Sequence, residues 1–368
     1  MMRVVSIKPI GTAIFKGPGE FQAGIGGLQS YASSMIIPNP STIAGLLSTL
    51  RMTKISTAPR VALAPDSWVK EFEDILGSDF IIRGPYIVKN SSIYVPYGRN
   101  LLLNANEVIA KLSNKDIIKK IFGEELRYRK WRWIEEIRDK VEPLSIEKVG
   151  IKLDNRTRIA EENYFYTLRL LDWINMNLEI RADIISGDAD FIDQKPVVSD
   201  LGGEKRAALV QISDGVSLTN IVEKTINQAK ESKEWVLYLV SSGLFKTLKV
   251  DFETPLERTL IHKEESEASA YFSYPNPLYL IYEQLPKIYK EEIIILGISG
   301  IIYLASAGWS VSKNRRKPAY ITVEPGTLVR IRIKDAKPND LILKIWQYGF
   351  SGIANNIGYG TIIPIPLI

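Results

Sequence analysis

The 368-residue chain contains no cysteine and a single histidine, His262. The first absence excludes disulfides, thiolate-bound zinc, iron–sulfur clusters and thiol nucleophiles. The second excludes a two-histidine acid–base pair and a zinc site of histidine and cysteine ligands. Phosphate and acyl-transfer signatures are missing as well, with no G-x-x-x-x-G-K-[ST] loop and no G-x-S-x-G elbow. The glycine-rich stretch Lys16–Gly27 (KGPGEFQAGIGG) does not have G-x-G-x-x-G spacing. Pro38 and Pro40 follow it, where a dinucleotide site would open a helix at once. Asp188, Asp190 and Asp193 (SGDADFID) miss the calcium-loop spacing because Ile192 breaks it, so they read as a surface turn. Leu201–Lys205 (LGGEK) holds one acid, too few for two-metal chemistry, and reads as a tight turn. His262 sits in the charged run ERTLIHKEESE and reads as solvated. No metal, cofactor or small-molecule substrate is expected.

Membrane and export signals are equally scarce. The opening MMRVVSIKPIGTAIFKG lacks the apolar run of a signal peptide and reads as a strand, so a cytoplasmic protein is expected. The longest apolar stretch, Ile293–Trp309 (IIILGISGIIYLASAGW), is short for a spanning helix and rich in glycine and serine. It reads as two buried strands or a strand and a turn, with no membrane partner.

What is present fits a soluble protein of one large or two ordinary domains. Apolar residues make up 45% and charged residues 24%, and the net charge of +5 leans toward a polyanionic partner. The pattern predicts an α+β fold. Strands are expected at Arg3–Ile10, Phe80–Val88, Ser92–Val95, Tyr164–Leu170, Leu178–Ile185, Ala207–Ile212, Trp235–Val240 and Leu328–Lys334. Tyr164–Leu170 also admits a helix; as a strand it is expected to pair with Leu178–Ile185. Helices are expected at Thr42–Met52 behind Ser41 as N-cap, at Asn104–Leu112 and Asn114–Phe122, and from Asn220 to Ala229 with Glu223 in a capping box. Strand, helix, strand and return strand after Ala207 make a ferredoxin-like pattern. A boundary is expected near Val149, giving domains 1–148 and 149–368, with residues 60–148 as an insertion in the first.

Four places put cations beside glycine turns, where backbone without Cβ can approach phosphate closely. The first is the Lys16–Gly27 loop with Lys16, Gly24 and Gly26, followed by Gln29, Ser30 and Tyr31. The second is Lys152–Arg158, with Lys152, Arg156 and Arg158. The third is Gly202–Arg206, with Lys205 and Arg206. The fourth is Lys313–Lys317 (KNRRK), with Lys313, Arg315 and Arg316. Together they predict an RNA-binding surface whose cations supply attraction and salt dependence. Tyr31, Trp309 and Tyr359 are candidate stacking platforms. The segment Arg127–Arg138 interleaves Tyr128, Trp131 and Trp133 with Arg127, Arg129, Lys130 and Arg132 and reads as a helix that docks a partner.

The chain resembles the third RAMP subunit family of type III-B (Cmr) CRISPR effector complexes. The resemblance runs in order through Phe21–Gly24, Pro40–Leu47, Gly150–Asp154 with Arg156–Glu162, Leu201–Glu204 with Arg206, Gly308–Pro318 with Val323–Arg330, and Ile357–Gly360. It implies tandem ferredoxin-like, RRM-like (RAMP) domains without nuclease activity. It implies that the chain binds the 5′ handle of the guide RNA (crRNA). It also implies contacts with the large palm-domain subunit and the backbone RAMP subunit of the complex. The alternative is a RAMP-type, metal-independent guide-processing endoribonuclease using His262 as general base.

Overall fold

The computed structural model describes residues 2–15, 31–55, 67–122, 132–153, 160–202, 206–229, 232–247, 258–259, 277–306, 309–310, 315–316, 318–334 and 338–368. Helices and antiparallel sheets are mixed through it, an α+β fold.

The first unit is built on β1 (Arg3–Pro9), helices α1 (Pro40–Ile55) and α2 (Ser67–Leu76), then β2 (Ile81–Lys89), β3 (Glu179–Ser186) and β4 (Arg206–Ser213). In space these strands lie in the order β4-β1-β3-β2, each neighbour antiparallel. That is the ferredoxin-like order, fourth, first, third, second. Val5 and Ile7 of β1 and Ile180, Ala182 and Ile184 of β3 are buried. Against them α1 lays Ile43, Leu46, Leu47 and Leu50, the helical stripe visible in the sequence.

The sheet crosses the boundary expected at Val149, because β3 and β4 pair with β1 from beyond it. The insertion also shifts. Within residues 60–148, β2 is a central strand beside β3. The added material runs from Asn90 to Leu178. It contributes strands Ser92–Tyr97, Leu101–Asn104 and Lys140–Val141, which extend the sheet past β2, and helices Ala105–Leu112 and Lys115–Phe122. It ends in a long hairpin, Ser145–Leu153 with Ala160–Asp172, which joins Thr12–Ala13 and Tyr31–Ser33 in a separate sheet. The Ala160–Asp172 strand therefore does not pair with β3, contrary to expectation. Strands adjacent in sequence are separated here by the helical turn Trp173–Met176, whose C-cap Asn177 is left-handed.

Helix α3 (Leu218–Gln228) leads out of the first unit. Its N-cap is Ser217, which accepts from Asn220 N at 3.0 Å, so the helix starts before the Asn220 expected from sequence. The second unit repeats the plan with β5 (Glu234–Leu239), α4 (Pro277–Gln284), β6 (Ile293–Ser299), β7 (Leu328–Ile333), α5 (Pro338–Tyr348) and β8 (Ile362–Pro366). Its order is β8-β5-β7-β6, again all antiparallel. The apolar run from Ile293 divides into β6 and strand Ile301–Ser306, turning at Gly300 where any Cβ would meet Thr327 Oγ1 at 2.1 Å. No helix among the described residues is long and apolar enough to cross a membrane.

The two units meet at Arg83 and Gly84 of β2. Arg83 is 1% exposed, and its guanidinium donates to the carbonyls of Ile82, Asn355, Trp346 and Gln347. The last two end α5, where the helix dipole favours a cation. Burial lowers the Arg83 pKa to about 10, which leaves it charged at neutral pH. Beside it, Thr361 Oγ1 accepts from Gly84 N at 3.0 Å, and Ser241 Oγ bonds both Gly358 O and Thr361 N. A second polar joint is Asp183 of β3, fully buried. Its carboxylate accepts from Thr219 N and Thr219 Oγ1 at the start of α3, both at 2.7 Å, and from Tyr86 Oη at 2.5 Å.

Two outcomes follow from these joints. Arg83→Met, which keeps volume and strands four buried carbonyls, is expected to lower the unfolding free energy by roughly 3 kcal/mol, read from urea denaturation. Desolvation raises the Asp183 pKa above its ordinary value, with the Tyr86 and Thr219 hydrogen bonds opposing the rise. The folded state then holds this proton longer than the unfolded chain. Its contribution is fully present below the ordinary carboxyl pKa and is lost as pH rises through the raised value. Denaturation profiles of wild type and Asp183→Asn should diverge across that window, the variant losing this slope.

Candidate nucleic-acid interface

The N-terminus of α1 is where separate parts of the chain converge. Pro40-Ser41-Thr42 open the helix with no acidic residue in its first turn, leaving N–H groups and a positive dipole end without a countercharge on the helix. Thr42 N bonds Asn39 O at 2.8 Å, so the helix begins one residue before the expected cap Ser41. Ser41 Oγ instead accepts from Tyr359 Oη at 3.1 Å. Thr42 Cγ2 lies 3.7 Å from the position a Cβ would take on Gly202, whose φ of +73° needs glycine.

The Gly202 turn joins strand Val197–Leu201 to β4, and Arg206 opens β4 opposite Leu201. Arg206 is half-buried, and its Nε is covered and has no hydrogen-bond partner among the described residues. This places one predicted cation behind a glycine turn that abuts the helix end.

The first predicted loop leaves Phe15 and returns at Tyr31, the start of strand Tyr31–Ser33. Phe15 N donates to Ser34 Oγ at 2.8 Å and Met35 N to Phe15 O at 2.8 Å, which closes the loop at its base, and the chain then runs directly into α1. Lys16, Gly24, Gly26, Gln29 and Ser30 lie outside the described residues. Tyr31 pairs in register with Thr167 of the long hairpin. Lys152 sits on the other strand of that hairpin, at the register shift between Ile151 and Leu153. Arg156 and Arg158 lie outside the described residues. Tyr31 and Lys152 thus belong to one four-stranded sheet, a relation the sequence did not reveal.

In the fourth cluster, Arg315 and Arg316 lie in sequence between the strands of a second hairpin, Ile301–Ser306 with Ala319–Val323. There Trp309–Ser310 pairs with Arg315–Arg316, so Trp309 faces Arg316 and Ser310 faces Arg315 in register. Lys313 and Lys205 lie outside the described residues, as does His262.

Sequence reasoning missed Arg99. It follows Gly98, whose φ is +61°, so the same pairing of glycine with a cation would have found it. Arg99 Nε lies 3.3 Å from Glu324 Oε1, and its guanidinium sits 5.1 Å over the Tyr303 ring. Arg99 O accepts from Ile36 N at 2.9 Å, tying it to the segment that enters α1. A narrow cleft lined by Asn39, Pro40, Arg99, Ser242, Tyr303 and Glu324 results. Burial raises the Glu324 pKa, opposed by Arg99.

Two aromatic expectations are corrected. Tyr359 is 1% exposed and packs edge-on against Trp68, so it is a core residue and offers no stacking face. Gly358 and Gly360 beside it serve close backbone packing. A Cβ on Gly358 would meet Gly84 O at 2.7 Å, and one on Gly360 would meet Phe350 O at 2.4 Å. Trp133, expected on a docking helix, is also buried, edge-on to Tyr97. The described helix there is only Arg132–Glu135. Asp188, Asp190 and Asp193 form no metal-ligand cluster among the described residues: Asp190 pairs with Arg3, and Asp188 Oδ1 accepts from Asp190 N.

Comparison with known proteins agrees with this architecture. The model of the CRISPR-associated protein family Cas_Cmr3 matches residues 138–367. The "CRISPR system CMR subunit Cmr3" of Saccharolobus solfataricus is 30% identical over 233 residues, covering 61% of this chain and 68% of that protein. Two cryo-EM structures of the type III-B Cmr-beta complex, both bound to cognate target RNA and one also to AMPPnP, contain chains of the same fold. They are 21% identical, cover 98% of this chain and 96% of those chains, and give TM-scores of 0.53 and 0.52.

Tyr359→Phe tests the assignment of this tyrosine to the core. Losing the hydrogen bond to Ser41 should cost about 1 kcal/mol of stability, measured by thermal or urea unfolding. RNA affinity should stay at the wild-type value in a filter-binding assay, since the ring stacks on no base.

Proposed function

The chain belongs to the Cmr3 family of CRISPR-associated proteins and is a structural subunit of a type III-B effector complex, and from that premise we propose that it holds the 5′ handle of the guide RNA without cutting it. In this reading it also docks the large palm-domain subunit onto the backbone RAMP subunit, within the cytoplasm.

The observation that carries the RNA reading is the arrangement at the start of α1. The start of the helix, with no acid in its first turn, lies against the Gly202 turn, and Arg206, whose covered Nε has no partner among the described residues, opens β4 opposite Leu201 beside that turn. Such an arrangement suits a phosphodiester. From the base of this region the Lys16–Gly27 loop departs, and its return strand shares a sheet with the hairpin strand that carries Lys152, which Arg156 and Arg158 follow in sequence. A handle lying along that sheet would meet phosphate partners in Lys16, Lys152, Arg156, Arg158, Lys205 and Arg206, with Tyr31 and Gln29 near its bases. The ribbon of Trp309 and Arg315–Arg316 offers a cation and an aromatic in register for a further nucleotide. Cleavage without metal needs a placed general base, and the sequence supplies one histidine in a charged run.

Charge removal tests the proposal. Arg156→Gln combined with Arg158→Gln, in the assembled complex, should weaken handle retention. The slope of log affinity against log salt should flatten by roughly 0.7 for each phosphate no longer neutralised. Affinity and slope equal to wild type would remove these arginines from the interface. Arg206→Gln should act in the same direction.

A further inference from the structure

The outward N–H and C=O groups of an edge strand are a template for another chain unless something blunts them. Most edges among the described residues are blunted. β8 carries Pro364 and Pro366. β6 is broken by a register shift between Ile295 and Gly297. Strand Gly243–Lys246 is capped by a side chain: Lys246 N donates to Gln284 Oε1 at 2.6 Å, and Gln284 Nε2 donates to Lys246 O at 2.9 Å. Hairpin strand Ser145–Leu153 exposes Glu147 and Lys148 and has a register shift of its own. The others are two or three residues long.

Strand Val197–Leu201 differs. It runs for five residues at the edge of the eight-stranded sheet and pairs with β4 in unbroken register. Its other side has no strand, and no hydrogen bond reaches it there among the described residues. Strand alternation turns Val197, Ser199 and Leu201 toward the core that α1 covers, where Leu201 is buried. Val198 and Asp200 point to the opposite face.

That opposite face is apolar beside the open edge. Val198 is 63% exposed and stands in register with Leu209. Asp200 stands in register with Ala207, whose carbonyl accepts from Ile10 N at 2.8 Å, and Ile10 is 49% exposed. Asp200 is exposed and pairs with no cation among the described residues. Lys8, in the row of Val198, is engaged with Glu179 at 3.5 Å.

These features select the occupant. A phosphodiester has no alternating donors and acceptors to match a strand edge, and it would meet Asp200 as a like charge. An extended peptide supplies the ladder. A second copy of this strand matches poorly. Antiparallel pairing centred on Ser199 sets each Val198 against an Asp200. Centring on Asp200, or pairing in parallel register, opposes two carboxylates. Centring on Val198 sets Asp200 against Pro196, which has no N–H. The edge therefore fits a strand of different sequence, apolar across from Val198 and cationic across from Asp200.

We infer that Val197–Leu201 receives an extended segment of a neighbouring protein subunit as a further strand of the first sheet. That segment carries an aliphatic residue facing Val198 and a lysine or arginine facing Asp200. The inference rests on membership of a multi-subunit complex and is independent of which RNA segment the chain holds.

Hydrogen exchange tests the ladder in the wild-type chain. The outward amides of Val197–Leu201 should exchange fast in the isolated chain and slow by roughly tenfold or more in the reconstituted type III-B complex. Equal exchange in both would overturn the inference. A photoreactive benzoylphenylalanine in place of Val198 should crosslink, in that complex, to a protein subunit other than this one. Crosslinking to RNA alone, to a second copy or to nothing would overturn it. Asp200→Lys should weaken association with the crosslinked subunit by roughly tenfold and leave the isolated chain's melting temperature unchanged. Replacing the cation in the crosslinked segment by glutamate should then restore association. Wild-type association of Asp200→Lys, or no recovery on the reciprocal change, would count against the inference in the same way.

Discussion

A cation buried between the two ferredoxin-like units organises this molecule. Arg83 comes from the second strand of the first sheet, yet three of its four carbonyl partners belong to the last thirty or so residues of the chain, at Trp346, Gln347 and Asn355. Lysine could not replace it, since a point ammonium cannot reach carbonyls spread across a planar fork. The helix that ends on this guanidinium, α5, packs Ile342, Ile345 and Trp346 into the second core. The bond therefore fixes how the second unit sits against the first. Gly84 and Gly358 extend the joint by close backbone approach, and Thr361 and Ser241 satisfy the polar groups that this approach buries.

That joint positions the candidate interface. Tyr359, one residue from Gly358, reaches Ser41 and so locks the start of α1 to the C-terminal loop. Trp68 of α2 donates to Tyr320 Oη at 2.9 Å and stacks edge-on against Tyr359, so strand Ala319–Val323 of the second hairpin is tied to the same place. The glycines accordingly divide into two jobs. Gly358 and Gly360 are buried and keep two backbones in contact, whereas Gly202 is exposed at a turn against the helix end. Composition cannot separate these uses, because the same missing Cβ serves both.

Much of the local structure was legible from residue pattern. The α1 stripe Ile43, Leu46, Leu47, Leu50 and the alternation of Leu178–Ile185 follow from helical and strand periods, which local side-chain directions set. Asn104 and Asn114 mark helix starts as short polar caps do, Asn104 accepting from Asn106 N and Asn114 from Asp116 N. Strand partners were less legible. Leu178–Ile185 was expected beside Tyr164–Leu170 because they are neighbours in sequence. It sits instead between β1 and β2, strands that begin about 175 and 100 residues earlier in the chain.

By itself, the sequence determined the chemistry open to this protein. Without cysteine it forms no disulfide or thiolate metal site, with one histidine it has no two-histidine acid–base pair, and its cations beside glycine turns lean toward a polyanionic partner. It also determined the elements, because hydrophobic period and capping are local properties. Only the tertiary structure decided the long-range pairings: that Arg83 faces the C-terminal carbonyls, that the Gly202 turn meets Thr42, and that Tyr31 and Lys152 share a sheet. It also showed that Tyr359 and Trp133, which read as exposed aromatics, are core residues. Such contacts depend on which buried faces find each other across the chain, and no local period in the sequence encodes that choice.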